Sequence, residues 1–304
     1  MKVTASAPGS IMILGEHAVV YGHPAIVAAI DQRVTVVATA LDDERVELVS
    51  DIAPPVETTL DALSAKGDLP FVQAAVLAFR GRMSHGVGLE ITSEIDPTLG
   101  LGSSAAVTVA CLGAIAHLAG ASKEGLHRAA LGIVRNRQGR GSGADLAASL
   151  SGGLMSYQLA SDGVEACIRS LPSPPEFALR HAGYKTPTGE VLAKVAADWD
   201  GRTAEVEGLY ARMGAVAERG IAAASREDWD GLAVAMGDYQ ALMAELGVSD
   251  AVLERLVARA LEVSGVMAAK ISGSGLGDCV VAMGAVPEGF VAAPLAERGL
   301  VVDG

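Results

Sequence analysis

The sequence predicts an α+β protein built from two domains. Its 304 residues exceed the comfortable size of a single hydrophobic core. Strand-like and helix-like segments follow one another without strict strand–helix alternation. A proline-rich break at Leu171-Pro172-Ser173-Pro174-Pro175 closes a change in composition over 160–176. The domains are accordingly placed at 1–165 and 166–304. Half of the residues are apolar but only 4% are aromatic, so Ala, Val, Leu and Ile must build the core.

Residues 3–7 and 10–14 read as strands around a Pro8-Gly9 turn. Strand character continues over 25–30, 34–40 and 46–49. Residues 70–82 read as a helix. The alternation Leu89-Glu90-Ile91-Thr92-Ser93-Glu94-Ile95 marks a strand over 87–95. Helices follow at 103–120 and 122–136, the second capped by Ser122. A strand at 154–158 comes after Gly152-Gly153. Beyond the break lie a strand at 177–182 and helices at 189–198, 202–224, 227–246 and 249–264. Strands at 268–271 and 280–283 flank a glycine-rich segment. Trp199 and Trp229 fall in helices and read as packing residues. No internal repeat is evident.

A net charge of −13 argues against nucleic acid as a partner. Anionic ligands must then be met by local devices. Cys111, Cys167 and Cys279 lack metal or redox spacing and read as small apolar residues of a reducing compartment. No signal-peptide pattern and no uninterrupted apolar run of about 20 residues is present. A cytoplasmic protein with no membrane partner is expected, and a homodimer is left open.

One such local device is Pro97-Thr98-Leu99-Gly100-Leu101-Gly102-Ser103-Ser104-Ala105-Ala106. Its glycines let backbone amides approach a ligand, and its serines open a long apolar helix. A helix N-terminus carries partial positive charge, which suits nucleotide phosphates. Ser103 and Ser104 also read as helix caps. A P-loop would need a Lys after Gly102, and a dinucleotide loop an acidic residue about 20 positions on; both are missing. Two further glycine-rich segments, 139–145 and 272–279, strengthen the phosphate reading. Asp145, in a glycine-rich turn before an Ala-rich helical start, reads either as a cap or as a catalytic carboxylate.

Three segments in fixed order resemble the GHMP kinase superfamily. Ala5-Ser6-Ala7-Pro8-Gly9-Ser10-Ile11-Met12-Ile13-Leu14-Gly15-Glu16-His17-Ala18-Val19-Val20-Tyr21-Gly22 is similar to its first motif. Residues 97–106 resemble its phosphate loop, and 270–279 its glycine-rich third motif. The resemblance covers nearly the whole chain. It implies an N-terminal domain like ribosomal protein S5 domain 2, a ferredoxin-like C-terminal domain, and an active site between them. It also implies ATP and magnesium.

Within the superfamily the mevalonate-pathway branch fits best. Residues 15–22 are similar to mevalonate kinases, whereas Gly141-Ser142-Gly143-Ala144-Asp145-Leu146-Ala147 and Gly277-Asp278-Cys279 look more like phosphomevalonate kinases. The leading expectation is therefore conversion of 5-phosphomevalonate to its diphosphate, with mevalonate as the alternative acceptor. The resemblance assigns ATP to Pro97, Gly100, Leu101, Gly102, Ser103, Ser104 and Ala105, and magnesium to Ser104. It makes Asp145 the catalytic base and gives the acceptor Glu16, His17, Arg140, Ser142, Lys185, Gly273, Ser274 and Gly275. A phosphorylated acceptor needs an extra cation, for which Lys185, Arg140 and Arg137 are the candidates. Two departures stand out. Ser10 occupies the place of a Lys common in mevalonate kinases. Val134 stands about eleven positions before Asp145, where those enzymes carry a magnesium-binding Glu. These departures keep a non-catalytic nucleotide-binding regulator as a remote alternative.

Overall fold

The computed structural model describes residues 1–51, 53–96, 99–139, 141–160 and 165–304. Strand β1 (Lys2–Leu14) runs unbroken through Pro8 and Gly9, where the sequence suggests a turn. Pro8 faces Arg33 and Gly9 faces Ile30 of β2 (Ala25–Ala40), so the pairing slips by a bulge instead of reversing. A proline in mid-sheet is tolerated at such a bulge, where a ladder hydrogen bond is already lost.

β2 is long enough to serve two neighbours. Its first half pairs with β6 (Leu154–Leu159), its second half with β5 (Val87–Ser93). β3 (Arg45–Ser50) pairs parallel with β5, and β4 (Val56–Thr59) closes that edge. The expected domain division at 165/166 falls between β6 and β7 (Ala166–Leu171), which pair antiparallel in this same sheet. The C-terminal β12 (Val301–Asp303) also returns to it, beside β1. Both strands are short and half-exposed, and neither shows a clear pattern in the sequence.

Helix α2 (Ser103–Leu118) lies against β1 and β2, with α1 (Pro70–Phe79) on it. Its apolar residues run all round, as a helix buried on every side requires. Gly102 precedes it in the left-handed region at φ 68°, and no side chain caps it, so Ser103 and Ser104 are not caps. α3 (Leu126–Gln138) starts four residues after Ser122 and follows Gly125; Ser122 accepts a local bond from Glu124 N instead. α4 (Ala144–Ser151) carries Asp145 in its first turn.

The second sheet has the antiparallel order β11 (Val291–Ala292), β8 (Phe177–His181), β10 (Cys279–Gly284), β9 (Val266–Ser272). Between β8 and β9 run α5 (Thr188–Asp198), α6 (Thr203–Ala224), α7 (Trp229–Leu246) and α8 (Ala251–Leu261). α7 and α8 pack on β9, and α6 packs on α7 and reaches β2. One apolar cluster continues through both halves, with Tyr157, Tyr239 and Phe177 among its fully buried side chains. Among the described residues no helix is long and apolar enough to cross a membrane.

Gly15 joins β1 to the 3-10 turn Ala18–Tyr21 at φ 111°. A Cβ there would collide with the Ala25 side chain and lie 2.6 Å from Ala25 Cα. Gly15→Ala is expected to cost about 1–3 kcal/mol through backbone strain. The check is thermal unfolding, where each kcal/mol lowers Tm by about 2–4 °C in a protein of this size class. An unchanged Tm would show that Ala25 can move aside.

Candidate active site

A cleft of about 330 Å³ opens between the two sheets' domains. The N-terminal end of α2 forms one wall through Gly100, Gly102, Ser103 and Ser104. The loop is pinned from below, because Ser10 N donates to Leu101 O at 3.1 Å. Gly102 sits against the same strand: a Cβ on it would collide with Ser10 Oγ and lie 3.0 Å from Ser10 N. First-turn amides of a helix have no partner inside it, so this end offers donors and positive potential. Leu101 and Ala105 are buried under the loop, so they contribute backbone only. Beside Ser103 and Ser104 an apolar cavity of about 170 Å³ is lined by Val34, Leu69, Phe71, Ile91, Ile95 and Val107.

The opposite wall comes from the 141–145 loop. Tyr157 of β6 donates its hydroxyl to Ser142 O, and His127 of α3 bonds Gly143 O at 3.0 Å. These two clamps aim Asp145 at the cleft. Asp145 is open to the cleft space but ringed by protein elsewhere. Burial raises its carboxyl above the ordinary value, the neighbouring Ser10 hydroxyl pulls it down, and Glu16 adds repulsion. Ser10 itself is buried beside this carboxyl. Val134 is buried against Gly141 and offers nothing to a metal.

Glu16 and His17 form the cleft's floor. His17 holds a strained backbone at φ 60°, ψ −60°. Its Nε2 bonds Ser274 O at 2.8 Å, and burial lowers its pKa, so the ring is neutral at neutral pH. Nδ1 is then a lone-pair acceptor, and it is buried without a partner. Glu16 Oε1 pairs with Lys270 of β9, while Glu16 Oε2 is buried and unpartnered. Burial lowers the Lys270 pKa and the Glu16 charge opposes that shift.

The second domain contributes Ser272, Gly273, Ser274 and Asp278, together with Lys185, Thr188 and Leu192. Asp278 stands at φ 60° and is held by Ser274 Oγ at 3.3 Å. Lys185 Nζ lies 3.8 Å from Asp278 Oδ1. Burial raises the Asp278 carboxyl, and Lys185 opposes this.

Comparison with known proteins follows the same outline. The model of the GHMP kinases N terminal domain matches residues 70–153, that of the GHMP kinases C terminal matches 221–296, and the galactokinase galactose-binding signature matches 2–40. The chain is 33% identical to the mevalonate kinase of Pyrococcus furiosus over 93% of its length and 89% of the relative's. The chain belongs to the GHMP kinase family. The mevalonate kinase of Archaeoglobus fulgidus is 34% identical over 95% and 96% of the two chains. The Lin0012 protein of Listeria innocua superposes with a TM-score of 0.87 at 24% identity, covering 100% of this chain and 99% of that one.

In this GHMP kinase most of the expected site residues meet in one cleft: Glu16, His17, Gly100, Gly102, Ser103, Ser104, Ser142, Asp145, Lys185, Gly273 and Ser274 all line it. Gly275 does not; it turns toward Val248. Arg137 donates to Ala65 O at 2.8 Å and is not among the residues that line the cleft. Pro97 and Arg140 lie outside the described residues. Sequence reasoning missed Tyr157, His127 and Lys270, and assigned no role to Asp278. Asp278 had a local signal as an acid inside a glycine-rich run, and Lys270 opens the same 270–279 segment.

Gly102→Val places a branched side chain where the loop passes Ser10. ATP affinity measured by titration is expected to fall by at least about tenfold, a loss near 1.4 kcal/mol. Unchanged binding would remove the loop from the nucleotide site.

Proposed function

We propose that this kinase transfers the terminal phosphoryl group of ATP to the C5 hydroxyl of mevalonate, giving 5-phosphomevalonate and ADP. The observation that carries the reading is the near full-length similarity to curated mevalonate kinases at 33–34% identity. This favours the second of the two expected acceptors over 5-phosphomevalonate. The cleft's chemistry agrees. Met12, Val19, Val20 and Leu192 offer an apolar side for a methyl-branched chain. Among the described lining residues Lys185 is the one Lys or Arg, which suits a single carboxylate better than an added phosphate.

The residues divide the work as follows. The α2 N-terminus and the Gly100–Ser104 backbone hold the phosphates, and the apolar cavity beside them takes the nucleoside. Glu16 Oε2 and His17 Nδ1 accept hydrogen bonds from acceptor hydroxyls. Asp145 orients the C5 hydroxyl and takes its proton as the phosphoryl group moves. Magnesium fits as an ion carried in with the nucleotide, because Ser104 and Asp145 are oxygen donors and such ions keep phosphate and water ligands. Among the described residues no group of three or more His, Cys, Asp or Glu is gathered to hold a metal unaided. When bound, the ion would neutralise charge on the transferring group.

The direct test is ADP release with mevalonate, 5-phosphomevalonate, galactose and homoserine side by side. Mevalonate is expected to give the highest kcat/KM. Preference for 5-phosphomevalonate would reinstate the other pathway kinase, and turnover of none would support a nucleotide-binding regulator.

Asp145→Asn is expected to cut kcat by roughly 10²–10⁴ while ATP still binds. The two effects on stability and activity have opposite signs. A carboxyl raised by burial is destabilising when ionised, so at neutral pH the Asn variant should match or exceed the parent's Tm. That advantage disappears as pH falls below both folded and unfolded values. In the parent, the acid limb of kcat/KM should lie above the ordinary carboxylate value of 3.8. Near-normal turnover in the variant would remove Asp145 as the base.

A further inference from the structure

Lys270 is fully buried, and it does not line the cleft. It reaches Glu16 across 254 positions of sequence. Its ammonium also donates to Ile271 O and lies 5.5 Å from the centre of the Tyr239 ring. Tyr239 in turn donates to Glu16 O at 2.8 Å, and Gln240 accepts from Ile271 N at 2.9 Å. β9 and α7 of the second domain thus grip Glu16 by side chain and backbone together. Only one of its carboxylate oxygens is used; the other is buried without a partner, in a residue that faces the acceptor end of the cleft.

A buried ion pair is weak evidence for stability, since desolvation of both charges offsets their attraction. What this pair does achieve is orientation. With Oε1 taken by Lys270, the carboxylate's remaining oxygen has one direction in which to accept a hydrogen bond. We propose that Lys270 is a positioning residue for acceptor binding, holding Glu16 from the second domain so that Oε2 meets an acceptor hydroxyl. This rests on the reading of Glu16 as an acceptor contact. It adds that the domain contact itself tunes affinity for the hydroxyl-bearing substrate, with little effect on the nucleotide held at α2.

The test is steady-state kinetics on Lys270→Met, Glu16→Gln and the double variant in the full chain. The acceptor is whichever of the four compounds the parent turns over, so failure of the mevalonate reading leaves this test intact. Lys270→Met should raise the acceptor KM by about 10- to 100-fold, the range for a lost hydrogen bond to a charged group. The KM for ATP should stay within about threefold. The double variant contains neither buried charge, so it should recover thermal stability relative to Lys270→Met yet keep the raised acceptor KM. It should also match Glu16→Gln, because Lys270 acts through Glu16. Recovery of both stability and acceptor KM in the double variant would reduce Lys270 to a structural role and overturn the proposal. An unchanged acceptor KM in Lys270→Met would do the same. Should Lys270→Met not fold, the comparison of the double variant with Glu16→Gln decides: equal acceptor KM supports the proposal, and a further tenfold rise overturns it.

Discussion

The hydrogen bond from Ser10 N to Leu101 O ties the loop before α2 to β1, and the rest of the cleft is arranged around that tie. It is possible because β12 covers β1 only at Thr4–Ser6, which leaves the edge of β1 beyond it free to bond the loop. Pro8 O accepts from Ser149 of α4, so the helix that carries Asp145 is anchored to the same strand. The second domain touches the loop as well, through Cys279 Sγ on Leu99 O at 3.3 Å. Burial pushes that thiol up to about 12, so it remains a protonated donor. One stretch of β1 is thereby in contact with the loop before α2 and with the helix that carries Asp145.

Electrostatically the cleft runs against the chain's own charge. A protein at −13 gathers Glu16, Asp145 and Asp278 around a site for anions. Amides and a helix N-terminus provide attraction that costs no side-chain charge, and Asp278 holds Lys185. Burial raises the Asp278 carboxyl, so keeping it ionised in the fold costs stability. Strain at His17 and Asp278 concentrates at the same place, where the two domains meet.

The motif words that favoured a phosphorylated acceptor have another use in the fold. Ser142 offers its carbonyl to Tyr157 and so fixes the loop that aims Asp145. Asp278 packs against Gly100 and Ser274. Neither arrangement supplies positive charge. Short glycine-rich words report on backbone geometry near phosphate, which kinases of different acceptors share.

Local sequence was enough to specify the two-domain α+β plan, the order of its long helices and strands, and the glycine-rich loop, Glu16-His17 and Asp145 that line one cleft. Each of these is a short-range property: periodicity over one element, or a glycine and its neighbours within one turn. Long-range packing settled what locality cannot express. It made Pro8-Gly9 a bulge because β2 continues opposite it, and it gave the capping place before α2 to Gly102 because Ser10 leaves no room for a side chain. It brought β7 and β12 into the first sheet as short strands with no pattern of their own. Above all it paired Lys270 with Glu16, since a charge can be buried only where its partner, 254 positions away, is buried with it.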